Sequence, residues 1–156
     1  VAIRSGSLPD SRLVSRPLQS FRLLLCAAPA YLARHGTPRT VHDLPQHEGV
    51  RFRYPNSGKL QEWPLPTEQA DVVLRMRTAL VCNNMEAVLG ATLSGLGIGC
   101  MPDFLVVKAL ARDELVCVLG ERADAGGHFN AVWPSSRHLS PKVRVFVDHL
   151  SERLGQ

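Results

Sequence analysis

Residues 83–105, NNMEAVLGATLSGLGIGCMPDFL, constrain the fold more than any other stretch, because a capped helix ends there in glycines and feeds a short apolar strand closed by proline. Met85, Val88, Leu89, Thr92, Leu93 and Leu96 recur at the spacing that lines one face of a helix. Asn83 is placed as the N-cap, with Glu86 three residues on as its capping-box partner. Gly95 and Gly97 then stop the helix, because glycine takes the left-handed cap conformation without a Cβ clash. Residues 98–101 have room only for a short buried strand, which Pro102 ends. The start of such a helix offers unpaired amides and partial positive charge to a carboxylate or another small anion, so the segment reads as half of a ligand cleft. Plain capping of a core helix remains the commoner role for asparagines like Asn83 and Asn84.

Elsewhere strands and helices alternate. Residues 1–4 read as a strand, followed by a loop through Gly6, Pro9 and Asp10 and a longer extended run over 14–27 that Pro17 interrupts. Pro29 and Gly36 bracket a short helix, and Thr40 with Asp43 suggests one further turn before Pro45. Residues 49–54 alternate as a strand, and 72–82 alternate as another that delivers the chain to the Asn83 cap. Asp103 is placed to cap a helix through Phe104, Val107 and Leu110, and residues 115–119 and FNAVW read as strands. Ser140 and Pro141 open a last helix whose buried face is Val143, Phe146, Val147, Leu150 and Leu154. Such alternation points to an α/β fold with largely parallel sheets.

The 156 residues suffice for one or two small domains, and the 45% apolar and 21% charged fractions are those of an ordinary globular chain. No apolar run approaches a membrane span. The formal net charge of +4 comes almost wholly from scattered arginines. The local pairs Arg51 with Arg53 and Arg75 with Arg77 read as solvated strand faces, and neither a helix-turn-helix pattern nor stacking aromatics for RNA are found. Cys26, Cys82, Cys100 and Cys117 lie tens of positions apart among apolar residues, which suits buried reduced thiols rather than zinc or dithiol chemistry.

Enzyme signatures fail. Gly95, Gly97 and Gly99 follow a helix and open a strand, the reverse of a dinucleotide loop. A phosphate loop ending in Gly58 and Lys59 would need glycine where Arg53 stands and serine or threonine where Leu60 stands. No serine sits in a GxSxG elbow, and a zincin beginning at His47 and Glu48 meets Arg51 instead of its second histidine. All six histidines read as surface groups near turns or exposed helix positions. No catalytic residue, metal site or cofactor is expected.

Taken in order, VAIRSGSLPDSRLVSRPL, LLLCAAPAYLARHGTP, VHDLPQHEGVRFR, NNMEAVLGATLSGLGIGCMPDFLV and PSSRHLSPKVRVFVDHLSERL resemble successive segments of the effector-binding domain of bacterial LysR-type transcriptional regulators. The likeness runs over nearly the whole chain, the loop 120–128 excepted. It implies an α/β, periplasmic-binding-protein-like (type 2) fold of two subdomains joined by two crossing strands near residues 16–21 and 101–104. Subdomain two would be 18–102, and subdomain one would combine 1–17 with 103–156. Because residues 1–4 resemble the middle of a strand, the chain is expected to be a fragment. Its upstream part, with the DNA-binding winged helix-turn-helix and the first strand and helix of subdomain one, would be missing, and weak stability or aggregation in isolation is expected.

Carried over residue by residue, the resemblance implies effector-binding roles for Arg4 and Ser5 on one wall, for Cys82, Asn83 and Asn84 on the other, and for Pro102 at a crossing. The implied partners are a small-molecule effector, with an acidic one able to pair with Arg4, and further copies of the chain in a dimer or tetramer. DNA would be reached only through the missing domain, and the location would be cytoplasmic. Dimerisation would use a helix and a strand from each subdomain. A solute-binding protein of a transport system shares the fold and is the alternative, although it needs a signal peptide that VAIRSG does not provide. A small enzyme on the same fold is a third, and none of Lys59, Lys108 and Lys142 has a catalytic setting.

Overall fold

A computed structural model describes residues 1–5, 13–120, 126–135 and 140–154 of the chain. The loop through Gly6, Pro9 and Asp10, most of the loop 120–128 and His138 lie outside the described residues. The polypeptide divides into two compact units, one of residues 1–21 with 126–156 and one of residues 22–125.

In the first unit, β1 (Ala2–Ser5) runs antiparallel to β7 (Gly126–Pro134), with Arg4 opposite Asn130 and Ser5 opposite Phe129. β7 lies between β1 and β2 (Leu13–Ala27) in the strand order. Helix α4 (Pro141–Leu154) starts where the Ser140 carbonyl accepts from Val143 and Arg144, in keeping with serine and proline at its head. Its Val147 is buried with Leu18 and Ala131, and Val143 and Leu150 pack around them. Phe146 and Leu154, expected on the same face, are instead 49% and 37% exposed.

The second unit is a three-layer arrangement. Its strand order is β6 (Val116–Cys117), β2, β5 (Ile98–Pro102), β3 (Glu48–Phe52) and β4 (Arg77–Cys82). β3 pairs in parallel with β4 and with β5, whereas β2 is antiparallel to both β5 and β6. The sheets are therefore mixed rather than largely parallel, because β2 meets β5 and β6 head to tail.

Alternation along β2 and β5 sends side chains to opposite faces. Leu25, Ala27, Ile98 and Cys100 join one core with Tyr31 of α1 (Pro29–His35), Leu44 of a 3₁₀ helix (Val41–Gln46), Trp63 and Met76. Leu24, Cys26 and Met101 join the other with Val88 of α2 (Met85–Leu93) and Val106 and Ala109 of α3 (Asp103–Ala111). Thus α3 turns Val106 and Ala109 inward and leaves Phe104 and Val107 49% and 56% exposed.

Two further expectations change. Residues 67–75 form a second 3₁₀ helix (Thr67–Arg75) and not the first half of a strand, so Arg75 and Arg77 do not share a strand face. Val72, Val73 and Met76 are all buried, a grouping that helical winding permits and strand alternation does not. Gly95 takes the left-handed conformation expected of a stop, with φ of 79°. Gly97 has another role, since a Cβ there would stand 2.4 Å from the Glu48 carbonyl oxygen, so glycine lets the entry to β5 press against β3.

Candidate functional site

The junction of β4 and α2 carries three of the six candidate residues. β4 ends at Cys82, which is opposite Phe52 in the parallel register and whose carbonyl accepts from the Arg53 amide at 2.7 Å. Asn83 lies in the bend that follows, exposed, and its side chain makes no hydrogen bond among the described residues. Asn84 and not Asn83 is the N-cap: its Oδ1 accepts from the amides of Glu86 at 2.8 Å and Ala87 at 3.3 Å. A doublet of asparagines leaves the cap ambiguous by one position, and extended backbone angles at Asn84 decide it. Two of the helix's first amides are therefore already satisfied by the chain itself, and the exposed Asn83 side-chain amide has no hydrogen bond among the described residues.

Pro102 closes β5 opposite Leu23, is buried, and is the N-cap residue of α3. Asp103 is consequently the first helical residue, where its carboxylate accepts from the Phe104 amide at 2.8 Å and pairs with Arg22 Nε at 3.4 Å. Cys82 and Met101, the neighbour of Pro102, pack in the same core. Arg4 and Ser5 belong to the other unit, at the C-terminal end of β1, and both are exposed. The described residues bring together Cys82, Asn83 and Asn84.

Residues that the sequence marks as ordinary surface turn out to be buried. Arg51 is 4% exposed inside the unit of residues 22–125, so it does not belong to a solvated strand face. Its guanidinium donates to the carbonyls of Val73 at 3.2 Å and Gln61 at 3.5 Å and sits 5.4 Å from the centre of the Trp63 ring. Burial pulls its pKa below the usual arginine value, with Cys100 acting in the opposite sense. Arg51 Nε, Gln61 Oε1 and Trp63 Nε1 are buried with no hydrogen-bond partner among the described residues.

His47 is likewise buried, not superficial. Its Nδ1 is 3.1 Å from the Tyr31 hydroxyl, which accepts the Glu48 amide at 2.9 Å, and the His35 ring stacks on the Tyr31 ring. Desolvation, helped by His35 and opposed by Asp43, lowers the His47 pKa from its ordinary value. Neither burial has a local sequence signal, because the partners of Arg51 and His47 lie 10 to 22 residues away in the chain.

Beside these groups the second unit has an apolar recess lined by Leu23, Leu25, Val41, Leu65 and Leu119. None of the candidate residues lines it. No helix among the described residues is long and apolar enough to cross a membrane.

The LysR substrate binding domain family matches residues 1–155. The HTH-type transcriptional regulator CrgA of Neisseria meningitidis serogroup C is 36% identical over 156 residues, covering 99% of this chain and 51% of that protein. PtxR of Pseudomonas aeruginosa is 34% identical over 162 residues, covering 100% of this chain and 49% of its own. The chain thus spans about half the length of the curated relatives it matches. Among solved structures, the CrgA regulatory domain superposes with a TM-score of 0.80 at 34% identity, over 98% of this chain and 74% of that one. The AphB regulatory domain of Vibrio vulnificus gives 0.71 at 25% identity, over 97% and 73%. These relatives are transcriptional regulators, which disfavours the transport alternative. The chain belongs to the LysR-type transcriptional regulators, as a LysR substrate-binding domain with the periplasmic-binding-protein-like type 2 fold.

Proposed function

We propose that this domain senses a small-molecule effector and, through its association with further copies of itself, governs DNA binding by a winged helix-turn-helix carried elsewhere in the full protein. It works by binding and not by catalysis, in the cytoplasm. The observation that carries this reading is the exposed amide of Asn83, held at the end of β4 beside a capped helix start in a chain of this family. Arg4, Ser5, Cys82, Asn84 and Pro102 complete the proposed effector contacts. An amide supplies both a donor and an acceptor and suits a carboxylate or hydroxy acid. A ligand controls such a protein only through different affinities for its alternative arrangements.

Self-association is supported by the edge strand β4, which exposes Leu80 and Val81 at 40% and 39%, and by Leu93 and Leu96 at the end of α2, at 36% and 43%.

A thermal-shift screen against small organic acids, amino acids and aromatic metabolites tests the effector reading. It is run on the wild-type chain and on Asn83→Ala, which spares the cap that Asn84 provides. A compound that raises the melting temperature of the wild type but not of the variant supports the site. Equal shifts in both place the effector elsewhere.

A further inference from the structure

All four cysteines are thiols, and two of them face each other across the sheet. In the antiparallel pairing of β2 with β6, Cys26 stands directly opposite Cys117, and Ala27 opposite Val116. The Val118 amide donates to the Leu25 carbonyl at 2.8 Å, so the ladder bonds flank the cysteine pair instead of joining it. Cys26 and Cys117 therefore form a non-hydrogen-bonded pair, the kind in which opposed Cα atoms approach to about 4.5 Å and side chains on one face come closest. That spacing lies inside the range of roughly 4.4–6.8 Å that a disulfide spans. Both side chains pack in the core shared with α2 and α3. Cys26 is fully buried and Cys117 partly exposed, so a small oxidant reaches Cys117 first.

We propose that Cys26 and Cys117 are a dithiol couple that a hydroperoxide converts into a disulfide tying β6 to β2. The Cys117 sulfur attacks the distal oxygen of the hydroperoxide, the O–O bond breaks, and the alcohol (water, from hydrogen peroxide) leaves, giving a sulfenic acid. The Cys26 sulfur then attacks the Cys117 sulfur, loses its proton and expels water. Two thiols and one hydroperoxide thus yield one disulfide, one alcohol and one water. The order of attack follows from exposure: partly exposed Cys117 meets the oxidant first, whereas Cys26, whose proton its contact with Cys117 and its burial hold above the usual thiol range, stays a thiol until the sulfenic acid has formed beside it. Cys100, on the opposite face of the sheet, and Cys82, beyond β5 and β3, are not opposed to either sulfur in the strand register.

The test treats the chain with hydrogen peroxide, blocks remaining thiols under denaturing conditions and identifies tryptic peptides by mass without reduction. A linked pair of peptides 23–34 and 113–122, short by two hydrogens and separated by reductant, is the expected result, with Cys82 and Cys100 still alkylated. In Cys26→Ala, dimedone is expected to label Cys117, because the sulfenic acid no longer has its resolving thiol. The oxidised wild type is also expected to melt more than about 5 °C higher, since the link closes a long loop. Four unmodified thiols, a different cysteine pair, or irreversible oxidation of Cys117 in the wild type without the link would each overturn the proposal. The wild-type mass measurement decides the matter even if a variant fails to fold.

Discussion

Tyr31 of α1 and His47, the residue just before β3, are joined inside the core by a hydrogen bond of 3.1 Å. The Tyr31 hydroxyl already accepts the Glu48 amide, so its single proton is available for His47 Nδ1, an assignment that makes the ring neutral with Nδ1 as acceptor. Tyr31→Phe strands both the histidine nitrogen and the amide. Denaturant unfolding is expected to show a loss of about 1–3 kcal/mol.

The same pair makes stability depend on pH. Folding lowers the His47 pKa from its ordinary 6.5, so the unfolded chain takes up a proton there more readily than the folded one. Stability from this group is complete above 6.5 and is lost as the pH falls through that value toward the lower folded pKa. Melting temperatures measured across this window are expected to fall with acidification, and His47→Asn to flatten the slope.

Two glycines separate close packing from open space. Gly97→Ala drives a Cβ against the Glu48 backbone, whereas a Cβ at Gly90, within α2, meets nothing within 4 Å. Gly97→Ala is expected to cost ~1–3 kcal/mol by displacing β5 from β3. Gly90→Ala is expected to gain up to ~1 kcal/mol through helix propensity. Urea titrations of the two variants with a common slope check both signs.

Adjacent asparagines are expected to behave differently. Asn84→Ala removes the cap of α2 and lowers stability by about 1 kcal/mol. Asn83→Ala changes stability by less than ~0.5 kcal/mol, since its side chain is exposed and unbonded among the described residues. Thermal melts without ligand distinguish the two.

Legibility in the sequence followed locality. The run through β4, α2, β5 and α3 was readable because caps, glycines, proline and periodicity all act within a few residues, and the same signals located α1 and α4. Near misses came where two neighbours carry one signal, as with Asn83 and Asn84. Over residues 72–76 the alternation of Val72, Leu74 and Met76 with Val73 and Arg75 imitates a strand, although the chain winds there as the end of the 3₁₀ helix Thr67–Arg75. Arg51 and His47 were misplaced on the surface because burial of a polar side chain depends on distant partners: Trp63 and Val73 for one, Tyr31 for the other. Of the proposed contacts, Asn83 and Asn84 stand out from capping and helix spacing in the sequence, whereas Arg4, Ser5, Cys82 and Pro102 enter only through family likeness.

A single ribbon of backbone, β2 beside β5, separates two cores: Leu25, Ala27, Ile98 and Cys100 face one layer of helices, while Leu24, Cys26 and Met101 face the other. Neither layer can loosen without moving the wall it shares with its neighbour. Residues 22–125 are thereby bound into one cooperative body, in which damage to either face is felt as the failure of both.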